Sequence, residues 1–235
     1  MTSTRLPGKV LKQVLGKTLL EYQIERLQRV TKADCVVIAT TINEADDPIV
    51  KLCHELRVPT YRGAELDVLE RYYGAARKYE ADTIVRVTSD CPLIDPMVVD
   101  RIIGEYELAY PEFDYVSNTL ERSYPRGMDT EVFSFRALEE ACREAVAPPE
   151  REHVTSFVYH RPERYKLKSV TYMKDCSEYR WTVDTREDFA LIELMLTNLY
   201  SHNQEFTLGD CLQLIAQQPE WCDINAGIEQ KAYGL

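Results

Sequence analysis

Short runs of β-branched residues alternate with longer segments of helical periodicity along the first half of this chain. Cys35–Thr40 (CVVIAT) and Thr83–Thr88 (TIVRVT) are apolar runs typical of buried strands. The segments between them repeat apolar side chains at intervals of three and four, as helices do. This strand–helix–strand alternation predicts an α/β fold with a mostly parallel sheet flanked by helices.

The same patterns predict where each further element lies. Helices are expected at Leu19–Val30, Asp47–Leu56, Leu66–Tyr79, Pro96–Tyr106, Ala137–Ala145, Glu152–Tyr159, Asp188–Leu199 and Leu208–Gln217. Further strands are expected at Thr60–Tyr61, Tyr115–Ser117, Glu131–Ser134, Lys166–Tyr172 and Arg180–Val183. The second half is less regular, so we expect mixed strand order there. Because there is no repeat or flexible linker, we predict a single domain, with residues 1–200 as its core and 201–235 as a C-terminal helical extension.

Net charge and cysteine usage limit which partners the protein is expected to bind and which cellular compartment it is expected to occupy. The 28 Lys and Arg residues against 39 Asp and Glu give a net charge of −11, which repels nucleic acid and acidic membranes. No apolar run near the N-terminus fits a signal peptide, and no stretch is long enough to cross a bilayer. The seven cysteines are spread out without a Cys-x-x-Cys pair. These features predict a cytoplasmic protein with reduced thiols.

The first candidate site is the segment TSTRLPGK, from Thr2 to Lys9. Small hydroxyl residues, Ser3 and Thr4 among them, and a glycine leave backbone amides accessible, while Arg5 and Lys9 add two cations. Amides and cations together neutralise a triphosphate. The alternative interpretation is an exposed basic turn near the terminus.

Two aspartates follow predicted strands and form the second candidate site. Asp90 comes after TIVRVT, and Asp184 comes after WTV. Ligands of open α/β sheets bind beyond the carboxyl ends of strands, and two carboxylates from separate strand ends suit one shared Mg²⁺. Asp90 also fits a simple turn. Thr185 and Asp188 have capping-box spacing and Asp95 precedes a helical Pro, so these three residues are assigned to helix caps.

Weaker signals lie in one turn and on one predicted helix. Arg62-Gly63 follows a predicted strand and fits either a base or ribose contact or a plain turn. Asp67 and Arg71 are four residues apart on one predicted helix face, which indicates a surface ion pair.

A loop and a helical histidine complete the candidates. The loop YPRGMDTE places Arg126, Asp129 and Glu131 around a glycine turn, where they either grip an acidic or polyhydroxylated substrate or pair with one another. Glu152 and His153 fall in a predicted helix, and a lone helical histidine is more often structural than catalytic.

Taken together, these segments resemble a known family. TSTRLPGKVL, DCPLI and VDTRED look like the cytidylyltransferases that make CMP-activated sugar acids, and STRLPGK is similar to CMP-KDO synthetases. With YRGAELDVLERY, YPRGMDTEVFSF and REHVTSFVY, the chain resembles more specifically the SpsF-type cytidylyltransferases of spore-coat and other surface-polysaccharide pathways. The resemblance runs from Thr2 to about Tyr200, with a looser match in the tail.

The resemblance implies a GT-A-like nucleotide-diphospho-sugar transferase fold and transfer of CMP from CTP to a sugar acid, with release of pyrophosphate. It implies that Arg5 and Lys9 hold the triphosphate, that Asp90 and Asp184 bind Mg²⁺, and that the protein is a homodimer. The base and ribose would lie near Arg62, Gly63 and Arg71. The residues directed towards the sugar would be Arg126, Asp129, Glu131, Glu152 and His153.

The chain departs from the family at its start. Relatives open with a hydrophobic strand before the STRLPGK loop, whereas this sequence starts inside the loop. We therefore expect the fold to lack the family's first strand, and we favour a start assigned too late over an impaired protein. Two other functions stay open. One is a glycosyltransferase on the same fold, although DCP replaces the usual Asp-x-Asp. The other is a non-catalytic nucleotide- or sugar-binding homologue.

Overall fold

The computed structural model describes residues 5–230, whose strands form one hairpin and two sheets. The hairpin pairs β1 with β2, one sheet pairs β3 with β4 in parallel, and the other has the order β5-β7-β6-β8. The strands are β1 (Gln13–Val14), β2 (Lys17–Thr18), β3 (Ile38–Thr41), β4 (Thr60–Gly63), β5 (Thr83–Arg86), β6 (Tyr115–Ser117), β7 (Glu131–Ser134) and β8 (Leu167–Ser169).

The four-stranded sheet mixes strand directions. Strand β7 runs antiparallel to both of its neighbours, β5 and β6, while β6 and β8 are parallel. The expected α/β fold with a mixed sheet is confirmed. The parallel share is smaller than the alternation predicts, because β7 inserts between β5 and β6. Within residues 5–230, β3 and β5 are each paired on one side only.

The helices cover both faces of the larger sheet. They are α1 (Leu19–Leu27), α2 (Asp47–Glu55), α3 (Val68–Lys78), α4 (Pro96–Ala109), α5 (Phe135–Glu144), α6 (Pro148–Glu152), α7 (Ser156–Tyr159), α8 (Arg186–Tyr200) and α9 (Leu208–Gln217). Short 3₁₀ turns lie at Lys9–Leu11, Glu44–Asp46 and Pro219–Ile224. None of the helices in this part of the chain is long and apolar enough to cross a membrane.

Alternating side chains on β6 and β7 separate two cores. Val116 and Val132 pack with α4 in one core, while Tyr115 and Phe133 pack with α3, α5 and α7 in the other. Successive side chains of a strand point to opposite faces, so each strand buries both of its faces. A third core joins α1, α8 and α9 around Trp181. The sheet is therefore rigidly held under the loops that follow its strands.

Several predicted boundaries differ from the structure, as at β3 and β8, and three predicted elements differ for reasons that specific contacts or torsions show. The strand predicted at Arg180–Val183 is wrong, because this segment pairs with loops and Arg180 makes only one isolated bridge, to Arg126. The helix predicted at Glu152–Tyr159 is interrupted, because Val154 has a φ of 56°. The strand predicted to end at Thr88 ends at Arg86, because side chains of α1 and α3 bind the next two carbonyls.

Gly127 lets two loops approach each other closely. Its φ is +104°, and a Cβ there would lie 2.6 Å from the carbonyl oxygen of Trp181. On either side of this contact, the Arg126 amide donates to the Tyr179 carbonyl at 3.0 Å and the Trp181 amide donates to the Arg126 carbonyl at 2.8 Å. Only glycine fits this position without strain.

We expect Gly127→Ala to lower the free energy of unfolding by about 2 kcal/mol or more, because it adds a steric clash to an unfavourable φ. Gly16→Ala is the matched control, since Gly16 has a φ of +79° but nothing within 4 Å of its Cβ position. It should cost about 1 kcal/mol from backbone strain alone. Urea unfolding measures both values, and equal losses would contradict the proposed clash.

Candidate active site

Lys9 lies between two carboxylates that belong to separate loops. Its Nζ donates to Asp90 Oδ2 at 2.8 Å and to Asp184 Oδ1 at 2.7 Å. Arg5 adds a second cation, with its guanidinium 3.0 Å from Asp184 Oδ2. The structure thus brings together four residues that the sequence assigned to triphosphate and metal.

The loop after β5 positions Asp90. Thr88 donates its hydroxyl to Asp90 Oδ1 at 2.6 Å, and Gln23 of α1 donates to the Thr88 carbonyl at 2.6 Å. The Val183 amide donates to the Asp90 carbonyl at 2.8 Å. This last bond joins the Asp90 loop directly to the residue before Asp184.

The start of α8 positions Asp184. Thr185 is the N-cap of α8, and its capping box with Asp188 is confirmed, as is the N-cap role of Asp95 on α4. Because the capping box occupies Thr185 and Asp188, the carboxylate of Asp184 is left to face Lys9.

Neighbouring charges determine the protonation states of Asp184 and Lys9. Burial acts to raise the pKa of Asp184, but the hydrogen bonds and charges of Lys9, Arg180 and Arg5 outweigh it and hold that pKa below its ordinary value. Burial likewise acts to lower the pKa of Lys9, and the two carboxylates outweigh it and raise that pKa. The ammonium and the Asp184 carboxylate are therefore both charged at neutral pH.

A cavity of about 510 Å³ opens beside the carboxylate pair. It gathers residues from the ends of β5 and β7, from the glycine loop and from the segment before α7. The residues lining it that the sequence had singled out are Asp90, Asp184, Arg126, Asp129, Glu131 and His153.

Arg126 lines this cavity, and its guanidinium forms no ion pair with another residue of the range 5–230. Asp129 forms its ion pair with Arg122 instead, and both oxygens of Asp129 accept from that guanidinium, at 2.7 and 2.9 Å. Burial and the neighbouring charge of Arg122 lower the pKa of Arg126. A half-buried, unpaired guanidinium favours an incoming anion.

Glu131 forms part of the cavity wall and is held from three sides. Its carboxylate accepts from Tyr115 at 2.6 Å and from Thr155, and it forms an ion pair with Arg86. This buried network leaves Glu131 fixed on β7.

The residues assigned to base and ribose lie on β4 and α3. Arg62 donates to the carbonyls of Thr41 and Asn43, both at 2.8 Å, and pairs with Asp47. Gly63 is buried at the end of β4.

The predicted ion pair between Asp67 and Arg71 is wrong. Asp67 is the N-cap of α3, accepting from Glu70 at 2.9 Å, and it pairs with Arg151. Arg71 instead donates to the carbonyls after Gly63. Both side chains are drawn to the turn before α3, where unpaired backbone groups lie.

Several predicted residues do not line the cavity, among them Arg5, Lys9, Arg62, Gly63 and Arg71. Glu152 is exposed at the end of α6. Ser3 and Thr4 lie outside the residues that the structure describes.

The cavity also contains residues that the sequence analysis missed. Arg122 and Arg86 neutralise Asp129 and Glu131, and Thr119 and Tyr159 line the same space. One signal was available for Arg122, since it lies just before the glycine loop and completes a charge pattern with Asp129. No signal was available for Arg86, because it lies inside a predicted strand. The alternation of a strand predicts only to which face of the sheet a side chain points.

Comparison with known proteins identifies the relatives of the chain. The cytidylyltransferase family model matches residues 1–210. The spore coat polysaccharide biosynthesis protein SpsF of Bacillus subtilis (strain 168) is 27% identical over 227 residues, which are 94% of this chain and 92% of that protein.

Two solved structures are similar. A cytidylyltransferase from Leptospira borgpetersenii serovar Hardjo-bovis (strain JB197) is 32% identical, with a TM-score of 0.90 over 99% of this chain and 95% of that chain. The CMP:2-keto-3-deoxy-manno-octonic acid synthetase complexed with CTP is 17% identical, with a TM-score of 0.64 over 84% of this chain and 95% of that chain. The second likeness is one of fold.

The lowered pKa of Asp184 predicts an acid-dependent contribution to stability. A depressed pKa stabilises the fold above the unfolded-state value of about 3.9, and that contribution disappears as the pH falls through the lowered folded-state pKa. The stability difference between the wild type and Asp184→Asn should therefore be largest near pH 6 and shrink towards about pH 3. Urea unfolding across this range measures it, with the exposed Asp34→Asn as the control. A difference that does not change with pH would refute the prediction.

Proposed function

We propose that this chain, which belongs to the cytidylyltransferase family and is thus a nucleotidyltransferase, transfers CMP from CTP to a sugar acid and releases pyrophosphate. We place this reaction in surface polysaccharide synthesis. One observation carries the proposal. Asp90, Asp184 and Arg126, whose guanidinium has no ion pair among residues 5–230, line the same cavity. A centre suited to a cation-bound triphosphate thus adjoins a centre suited to the carboxylate of an acidic acceptor.

On the nucleotide side, the proposal rests on the cations around Asp184. Arg5 and Lys9 both contact this carboxylate. Since a triphosphate carries several negative charges, two adjacent cations would offset the repulsion from the aspartates. The preference for cytosine rests on the family.

On the acceptor side, the proposal rests on Arg126. Its planar guanidinium can bind a carboxylate with two parallel hydrogen bonds, which fixes the orientation of the acceptor as well as its position. Asp129 and His153 line the same space and offer polar groups to sugar hydroxyls. A neutral sugar would leave the Arg126 guanidinium unpaired, so an acidic acceptor is favoured.

The residues present fit a divalent metal. The carboxylates of Asp90 and Asp184 already share one cation, the Lys9 ammonium, and carboxylate oxygens are the ligands that Mg²⁺ prefers. Among residues 5–230 no group of three or more acidic, His or Cys side chains could hold a metal, so phosphate oxygens and water would complete the coordination. When bound there, Mg²⁺ would neutralise the phosphate charge and acidify the attacking hydroxyl.

The proposed reaction is an attack by a sugar-acid hydroxyl oxygen on the α-phosphorus of CTP. A bond forms between that oxygen and the α-phosphorus, the bond from the α-phosphorus to the bridging oxygen breaks, and pyrophosphate leaves with that electron pair while the hydroxyl proton passes to water. Arg126 orients the acceptor, and Arg5 and Lys9 offset the charge on the departing pyrophosphate. Positioning and electrostatics suffice for such a displacement.

Cys91 has no nucleophilic part in this reaction although it lines the cavity. Burial, together with the negative charge of Asp90, raises the pKa of the Cys91 thiol well above its ordinary value. A neutral thiol is a weak nucleophile, so direct transfer to the sugar is favoured over a covalent intermediate.

A coupled assay tests the function. The purified protein, incubated with each nucleoside triphosphate, Mg²⁺ and a panel of sugar acids, should release pyrophosphate only when CTP and one sugar acid are both present. Release of a nucleoside diphosphate or monophosphate from a sugar nucleotide donor, without CTP, would favour the glycosyltransferase alternative. No pyrophosphate with any sugar acid would overturn the proposal.

Lys9 should compete with the metal for the carboxylate pair. Lys9→Met removes a unit charge that lies within 2.8 Å of both carboxylates, so Mn²⁺ binding to the nucleotide-free protein should strengthen about 10-fold or more. CTP binding should weaken, because one phosphate contact is lost. Electron paramagnetic resonance measures free Mn²⁺, and calorimetry measures CTP binding.

Lys12→Met makes the same charge change at a side chain that stacks on Phe189, and it should leave both affinities unchanged. Unchanged Mn²⁺ affinity in Lys9→Met would contradict this competition.

A further inference from the structure

Arg180 ties the side chain of Asp184 to a fully buried acid. The Arg180 guanidinium donates to Asp184 Oδ2 at 2.7 Å and to Asp188 Oδ1 at 2.9 Å. Only 7% of the Arg180 side chain is exposed, and the Asp188 side chain has no exposed surface. The orientation of the Asp184 carboxylate therefore depends on a rigid buried pair.

Asp188 also holds the backbone of the same residue. Its Oδ2 accepts from the amides of Asp184 at 2.9 Å and Thr185 at 3.0 Å. Both the main chain and the side chain of Asp184 are thus fixed by the Arg180–Asp188 pair. Neither residue lines the 510 Å³ cavity.

Asn225, in the segment after α9, closes this arrangement. Its Nδ2 donates to the Arg180 carbonyl and to Asp188 Oδ1, both at 2.9 Å, and Asn225 is only 5% exposed. We call Arg180, Asp188 and Asn225 the C-terminal clamp. Asn225 comes from the C-terminal extension, which the sequence analysis left without a functional role.

We infer that Asn225 is a positioning residue for the proposed metal site, acting through Arg180 and Asp188 on the orientation of Asp184. The inference rests on the proposed function. It follows from the hydrogen bonds of the clamp, because the side-chain amide of Asn225 donates both to the backbone carbonyl of Arg180 and to one carboxylate oxygen of Asp188. Partners behind the direct ligands orient a metal site and affect its affinity strongly.

A substitution without a charge change isolates orientation from electrostatics. Asn225→Leu keeps a similar volume, removes both donated hydrogen bonds and leaves the net charge as it is. The Mn²⁺ dissociation constant of the protein, measured by electron paramagnetic resonance, should rise on the order of 10-fold. If the leucine variant does not fold, as judged by urea unfolding, Asn225→Ala gives the same readout.

Thr207→Ala is the matched control. It removes the N-cap hydrogen bond to Asp210 of α9, in the same C-terminal region, without touching the clamp. It should lower the unfolding free energy while leaving the Mn²⁺ dissociation constant unchanged. An equal loss of Mn²⁺ affinity in Thr207→Ala would assign the effect to general loosening and overturn the inference.

A double-mutant cycle tests the route through Asp184. In an Asp184→Asn background, Asn225→Leu should have no further effect on Mn²⁺ binding, since the oriented carboxylate is gone. An additive effect, or an unchanged Mn²⁺ affinity in Asn225→Leu alone, overturns the inference. These outcomes leave the proposed function standing if the wild type still releases pyrophosphate from CTP.

Discussion

A single ammonium group between two carboxylates organises this molecule. Asp90 and Asp184 come from separate loops. Their carboxylates both contact the same ammonium, and these two negative charges would repel each other without the Lys9 cation between them. The surrounding structure supports this contact. The Val183 amide joins the two loops, Thr88 and Arg180 each hold one carboxylate, and Arg5 adds a further positive charge.

This local cluster explains how a chain with a net charge of −11 would bind the highly anionic substrate proposed for it. The cations that the proposed chemistry requires are few: Arg126 lines the cavity, and Arg5 and Lys9 contact Asp184 in its wall. Two acidic side chains of the cavity wall are neutralised in pairs, Asp129 by Arg122 and Glu131 by Arg86. Net charge thus describes the long-range field, while the arrangement of individual charges determines what the cavity binds.

Local patterns predicted the parts of this structure that local forces determine. The caps at Asp95 and Thr185 follow from hydrogen bonds within one turn, and the sequence located both. The segment around Arg180 pairs with a loop because the backbone at Gly127 approaches Trp181 closely. The periodicity of apolar residues does not predict such a contact between distant segments. The clamp was missed for a similar reason, since Asn225 reaches Arg180 and Asp188 only once the chain has folded back on itself. The family resemblance indicated that Asp90 and Asp184 belong together, and it was silent on Arg180, Asp188 and Asn225.

The central claim is that the carboxylate pair now bridged by Lys9 is the centre where metal and triphosphate meet. A crystal structure of the protein with CTP and Mn²⁺ tests it most directly, because the anomalous signal locates the metal independently of any interpretation. The account predicts an anomalous peak between the carboxylates of Asp90 and Asp184, with the Lys9 ammonium moved onto a phosphate. A peak elsewhere, or CTP bound while Lys9 still bridges the two carboxylates, would contradict it.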